Sequence, residues 1–258
     1  MAAGWRIAGF AVLLMALAFL PAMSARGEPE GLLSITFDDS SKDQLKFGLS
    51  IAQAHDIRGT LYVPTLLTML SSTKTDYEWL MTWDEIAKFR DAGWEIGSHS
   101  RTHSALTRIP DSYLDWEMSG SRNDIEVHLD VSPTTFSAPF GEYDEAVVGA
   151  ARKVYDGFAI ADGGRNLHDE MDRWHIKRFE VSADMTASEV CTEVEAAALA
   201  GDWLVLLFHG IVDGNAGAYE VSASVFRDVL ACAAELRDAR AIDILPVDQA
   251  LARFDLPG

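Results

Sequence analysis

The chain has 258 residues, 48% of them apolar, and sets 21 Lys and Arg against 40 Asp and Glu, a formal charge of −19. That length holds one sizeable domain or two small ones. The acidity argues against nucleic acid, and against an anionic membrane surface, as a partner.

The first element is a leader. "MAAGWR" carries one cation, Arg6, and residues 7–20, "IAGFAVLLMALAFL", are apolar or small throughout. Pro21 and the small residues of "AMSARG" follow. This pattern predicts a secretory signal peptide over residues 1–24, cut after Ser24. The run is shorter than the roughly 20 residues of a spanning helix, so no stable membrane insertion is expected after cleavage. Residues 25–258 then form one exported domain, periplasmic or secreted. Cleavage removes Arg6 and no acid, leaving a net charge of −20. Cys191 and Cys232 both fall in helical patterns. Export permits a disulfide between them, and buried free thiols fit equally well.

Beyond the leader, apolar strand-like runs alternate with helical patterns. "LLSITFD" precedes a helical run over residues 43–55, and "GTLYVPT" precedes "MTWDEIAKFRDAG", where Thr82 caps and Gly93 stops a helix. "MLSSTKTDYEW" reads as a surface insertion between the two. "WEIGSH" is followed by a long helical run over residues 111–129, and "TTFSAPFG" by one over 144–154. "GFAIADG" and "HIKRFEV" come next, then a helix over 187–200. "WLVLLFHG" leads into a Gly-, Asn- and Asp-rich loop, and Ser222 opens a further helix. "AIDILPV" and a short helix close the chain. Alternation of this kind predicts an α/β domain with a mostly parallel sheet. Seven or eight strands suit a barrel of βα units better than a small open sheet.

In such folds chemistry gathers where the strands end. The first strand ends in Asp38-Asp39, the third in "GSHSRTH", and the seventh in "LLFHG". His99 and His103 are four apart, a spacing that puts both imidazoles on one face of a helical turn, close enough to share a metal. Two His and one carboxylate with open positions suit Zn²⁺ acting on water. Asp38-Asp39 supplies that carboxylate and one left over. A lone Asp pair after a strand is more often a helix cap, and a lone H-x-x-x-H arises by chance; together at one rim they point to a site. His209 reads as a general acid at the same rim or as a core-edge histidine.

"TFDD", "HSRTH", "APFG" and "LLFHG", in this order, resemble the motifs of the polysaccharide deacetylase family, the NodB-homology domain of carbohydrate esterase family 4. The resemblance spans roughly residues 32–250. It implies a distorted (β/α)₇ barrel and a hydrolase that removes N-acetyl groups from an acetylated glycan. It implies Asp38 as catalytic base, Asp39, His99 and His103 as ligands of Zn²⁺ or another divalent transition metal, and His209 as catalytic acid. A backbone N–H near Phe140 would complete an oxyanion site.

Three departures stand out. The family's third motif commonly carries an Arg two residues before its Pro, holding the base; here that position is Ser137, and Arg178 in "HIKRFEV" is the candidate replacement. The fourth motif is not intact, and Asp162 in "ADGGRN" is the carboxylate it offers to His209. The Gly that often follows the first motif is Ser40, strained if its φ is positive. An O-acetyl esterase or a small-molecule amidase would use the same scaffold. A non-catalytic glycan-binding module would be expected to have lost Asp38, Asp39 or a ligand histidine, and all are present.

Overall fold

The computed structural model describes Met1 and residues 31–254. The predicted leader lies outside the described residues. The first strand, β1 (Gly31–Phe37), is buried along its whole length. Its residues alternate faces, as strand geometry requires. Leu33, Ile35 and Phe37 pack into the main apolar cluster, against helices. Leu32 falls in a different cluster with Tyr62, Trp203 and Val205. Ser34, Thr36 and Asp38, on the same parity as Leu32, are buried polar residues. β1 is thus apolar on one face and increasingly polar towards its end on the other.

Six more strands complete the wall: β2 (Thr60–Val63), β3 (Glu95–Ser98), β4 (Thr135–Ser137), β5 (Gly157–Ala159), β6 (Phe179–Glu180) and β7 (Trp203–Phe208). They pair in parallel in the order β5-β4-β3-β2-β1-β7-β6. The ring closes where Ala159 of β5 bridges Ile176, in the segment that runs into β6. This is the distorted (β/α)₇ barrel that the motifs imply. A parallel ladder needs a crossover after each strand, which places every strand's end at one rim. Two further strands, β8 (Gly210–Val212) and β9 (Glu220–Ser222), form a separate parallel pair. β10 (Ile242–Ile244) pairs with the first half of β1.

The helices are α1 (Ser50–Ala54), α2 (Thr65–Leu70), α3 (Trp83–Asp91), α4 (Leu114–Leu129), α5 (Glu145–Ala151), α6 (Ala187–Ala200), α7 (Ala223–Asp238) and α8 (Val247–Arg253). Capping boxes start α3 (Thr82 with Glu85) and α6 (Thr186 with Glu189). Each satisfies two backbone N–H groups that a helix start leaves open. Gly93, at φ 80, ends α3 as expected. A π-helical turn, Gln44–Leu49, runs directly into α1 within the predicted helix over 43–55. The stretch read as a bare insertion contains the end of α2 and a 3₁₀ turn, Thr75–Tyr77. Six helical residues are too few for periodicity to reveal. A disulfide joins Cys191 of α6 to Cys232 of α7. Among the described residues no helix is long and apolar enough to cross a membrane.

Candidate active site

The rim holds a cavity of about 530 Å³ lined by Asp38, Asp39, His99, His103, Arg178 and His209, with Phe140, Glu180 and Tyr219 among its other walls. Strand alternation would send Asp39 away from Asp38. It does not, because the chain turns through left-handed conformations at Asp39 (φ 71) and Ser40 (φ 59). Ser40 does adopt the positive φ that a glycine would take without strain. Its hydroxyl donates to Tyr62 O at 3.4 Å. Gln44, fully buried in the π-helical turn, secures the same loop. Its Nε2 donates to the carbonyls of Asp38 (2.5 Å) and His209 (2.7 Å), tying the first and last motifs together.

Asp38 is held on both oxygens. Arg178 Nη1 donates to Oδ1 at 2.8 Å and Nη2 to Oδ2 at 3.0 Å. Ser137 completes a triangle: its hydroxyl accepts from Arg178 Nη2 at 2.8 Å and donates to Asp38 Oδ2 at 3.0 Å. Arg178 Nε donates to Ile160 O. The side chains of Arg178 and Asp38 are 1% and 3% exposed. Burial alone would raise the Asp38 pKa, but Arg178, then His99, hold it well below the usual carboxylate range. The cation absent from the β4 end reaches Asp38 from the segment before β6, and the smaller Ser137 leaves room for its guanidinium.

The three residues that fit a metal lie together. His103 Nε2 is 3.0 Å from Asp39 Oδ1 and His99 Nε2 is 3.6 Å from it. Donors on a tetrahedral ion with bonds of about 2.1 Å sit about 3.4 Å apart, so these separations bracket the requirement. His99 Nδ1 donates to Ser137 O at 2.9 Å, which leaves the Nε2 lone pair facing Asp39. Burial brings the His99 pKa down to about 4, keeping the ring neutral and able to ligate. The donor set therefore suits a divalent metal with open positions.

The loop carrying these histidines is not the helical turn their spacing predicts. His99 follows β3 directly, and Ser100 (φ 62) and His103 (φ 55) are left-handed. Side chains of α4 hold this strained loop. Glu117, 3% exposed, accepts from the backbone N–H of Arg101 (2.9 Å) and Thr102 (3.0 Å) and from the Thr102 hydroxyl (2.5 Å). Asp124 pairs with Arg101 and accepts from Thr65. Sequence reasoning missed Gln44, Glu117 and Asp124, because each acts through backbone or loop contacts that no motif spacing encodes.

His209 stands at the end of β7, its Nδ1 3.4 Å from Glu180 Oε1. Asp162, the carboxylate the sequence offers for this place, instead accepts from Tyr143 OH at 2.8 Å. Sequence reasoning missed Glu180; the signal that could have found it is its place two residues beyond Arg178. Phe140, left-handed at φ 61 and 65% exposed, lies against His103 with ring centroids 4.7 Å apart. Tyr219 is exposed and packs edge-on to His209, and Trp79 is exposed in the stretch after α2.

The polysaccharide deacetylase family model matches residues 25–155, half of the chain. No curated protein sequence matches it. Among solved structures, the Xyl-CE4 domain of a multidomain xylanase from the hindgut metagenome of Trinervitermes trinervoides superposes with a TM-score of 0.56 at 16% identity, over 88% of this chain and 92% of that one. A family 4 acetyl xylan esterase from Clostridium thermocellum, solved with a cobalt ion, gives 0.58 at 16% identity, over 88% and 93%. A CE4 family pseudoenzyme gives 0.59 at 15% identity, over 87% and 68%. At these identities the likeness concerns the fold; enzymes and a pseudoenzyme share it.

Proposed function

Because the chain belongs to the polysaccharide deacetylase family, we propose that it is a metal-dependent hydrolase that removes N-acetyl groups from a glycan and releases acetate. The observation that carries this reading is the convergence of a charged, bidentately held Asp38, an Asp39–His99–His103 donor set and His209 on one cavity. Zinc or another divalent metal held by Asp39, His99 and His103 would supply Lewis acidity to a water and to the acyl oxygen.

The residues of the chain do the rest. Asp38, kept ionised by Arg178, accepts a proton from the attacking water. Phe140 lines the cavity beside His103, and its backbone N–H donates to the developing oxyanion. His209 gives a proton to the leaving nitrogen. An amine anion is a very poor leaving group, so an acid at this place favours an amide substrate over an ester. Exposed Tyr219 and Trp79 offer aromatic faces to sugar rings. Export belongs to the same proposal, and the Cys191–Cys232 disulfide supports it, since such bonds persist in oxidising compartments.

The test is acetate release by the purified protein from N-acetylglucosamine oligomers. The expected result is turnover that a chelator abolishes and Zn²⁺ restores. Release from acetylated xylan alone would replace this reading with an O-acetyl esterase. Glycan binding without any release would replace it with a binding module.

A further inference from the structure

We propose that Glu180 is the positioning residue of the acid, holding His209 by Nδ1 so that Nε2 faces the leaving group, and that this contact suits the site to amides. The proposal rests on the hydrolase reading above. Three observations carry it. Arg178 and Glu180 are two residues apart, and strand alternation puts both on the cavity side, while Phe179 between them packs against the apolar core. His209 Nδ1 is buried and makes no hydrogen bond to any described residue. The carboxylate in ion-pair range of that nitrogen is Glu180, at 3.4 Å, longer than a formed hydrogen bond. Catalytic contacts of this kind are often long before substrate binds and tighten in the complex.

The rest of the His209 environment is already fixed. Gln44 holds its carbonyl, and the Tyr219 ring lies edge-on to the imidazole at 5.9 Å. Because Nδ1 is turned inward against Glu180, the exposed edge of the ring carries Nε2. An imidazolium carries one proton on each ring nitrogen, whereas a neutral ring has only one to place. A carboxylate acceptor at Nδ1 orients the ring and keeps the proton on that side, so that in the acid form of His209 the Nε2 proton is the one passed to substrate. One short segment, β6 and the residue before it, thus serves both halves of the reaction, Arg178 at the base and Glu180 at the acid.

The step balances as follows in atoms. The oxygen of one water bonds to the acetyl carbon, and one of its protons passes to Asp38. The C–N electron pair leaves on nitrogen, which takes the Nε2 proton of His209. Acetic acid and the free amine depart, and the proton on Asp38 returns through solvent to His209.

The experiment compares two substrates on metal-loaded protein: an N-acetylglucosamine oligomer, whose amine must be protonated to leave, and 4-nitrophenyl acetate, whose phenolate leaves unaided. Glu180→Gln should lower kcat/KM on the amide about 100-fold, the scale of one lost acid contribution, and on the ester less than about 5-fold. Glu180→Asp should recover part of the amide rate. In ¹⁵N spectra of histidine-labelled protein, Glu180→Gln should shift the Nδ1 resonance of His209. Equal losses on both substrates, no loss on either, or an unmoved Nδ1 resonance would each overturn the proposal. Wild-type protein inactive on both substrates would overturn the hydrolase reading; the Nδ1 resonance still tests the Glu180 contact separately.

Discussion

Two of the buried carboxylates, one towards each end of this barrel, have pKa values that move in opposite directions. Asp38, at the rim, is held well below the usual range. Glu95, where β3 begins, is pushed up to about 7 by burial first and Asp248 second. Both are stripped of water, which by itself favours the protonated form. The difference is a cation. Asp38 faces the Arg178 guanidinium on both oxygens. Glu95 is met by the hydroxyls of Thr60 (2.7 Å) and Thr135 (2.5 Å) and the Asp248 N–H (3.0 Å), all neutral donors. Hydrogen bonds satisfy a buried carboxylate, but only the fixed positive charge keeps it ionised. The base proposed for hydrolysis needs the fixed cation. Glu95, which anchors the start of α8, does not.

This contrast can be broken at its strongest point by Arg178→Met. The variant leaves Asp38 buried without its cation, and unfolding in urea at pH 7 should show a loss of about 3–5 kcal/mol. Hydrolysis should fall with it. A variant as stable as the wild type would mean that Arg178 is not what keeps Asp38 charged.

The next effect concerns Glu95 and has the opposite sign with pH. Its folded pKa, about 7, lies above the ordinary glutamate value of 4.5, so the folded protein binds the proton more tightly. The contribution to stability is complete below about pH 4.5 and is lost as pH rises through about 7, some 3 kcal/mol in all. Glu95→Gln should remove that slope between pH 5 and 8, read by thermal unfolding across the range. Asp38 behaves conversely: its depressed pKa contributes stability above the ordinary aspartate value of 3.8, lost as pH falls below it. A single acid-side loss with no decline towards pH 8 would contradict the assignment for Glu95.

The smallest effect tests the link between the two ends. The Tyr62 hydroxyl is hydrogen-bonded to Thr135 Oγ1 at 3.2 Å, the tyrosine donating because the threonine proton goes to Glu95, and its ring lies under the Arg178 guanidinium at 5.5 Å. Tyr62→Phe keeps the ring and removes the hydroxyl, so it should cost about 1 kcal/mol and leave the Asp38–Arg178 pair intact. A larger loss, or a collapse of hydrolysis, would show that the two ends are coupled rather than merely adjacent.

Much of this was legible in the chain alone. The alternation of apolar runs and helical patterns gave the strands in their order. Ser222 and the Thr82 capping box marked helix starts through local hydrogen bonds that span three residues. Asp38, Asp39, His99, His103 and His209 were identifiable because parallel strands all end at one rim. Arg178 was a candidate by residue type and proximity to a strand end. Asp162 was the carboxylate the sequence offered because it stands in the loop after a strand, where motif reasoning looks first; finding Glu180 required knowing which way a two-residue strand faces.

The sequence by itself determined the fold class and the chemical inventory of the rim, because strand period, capping and motif order are local properties. Only the tertiary structure decided who holds what. Arg178 reaches Asp38 across 140 positions of chain, Glu117 folds the histidine loop from a separate helix, and left-handed turns at Asp39 and His103 aim side chains that alternation or helical spacing would have sent elsewhere. Those facts depend on which elements pack together, and packing is set by long-range burial that no short stretch of sequence contains.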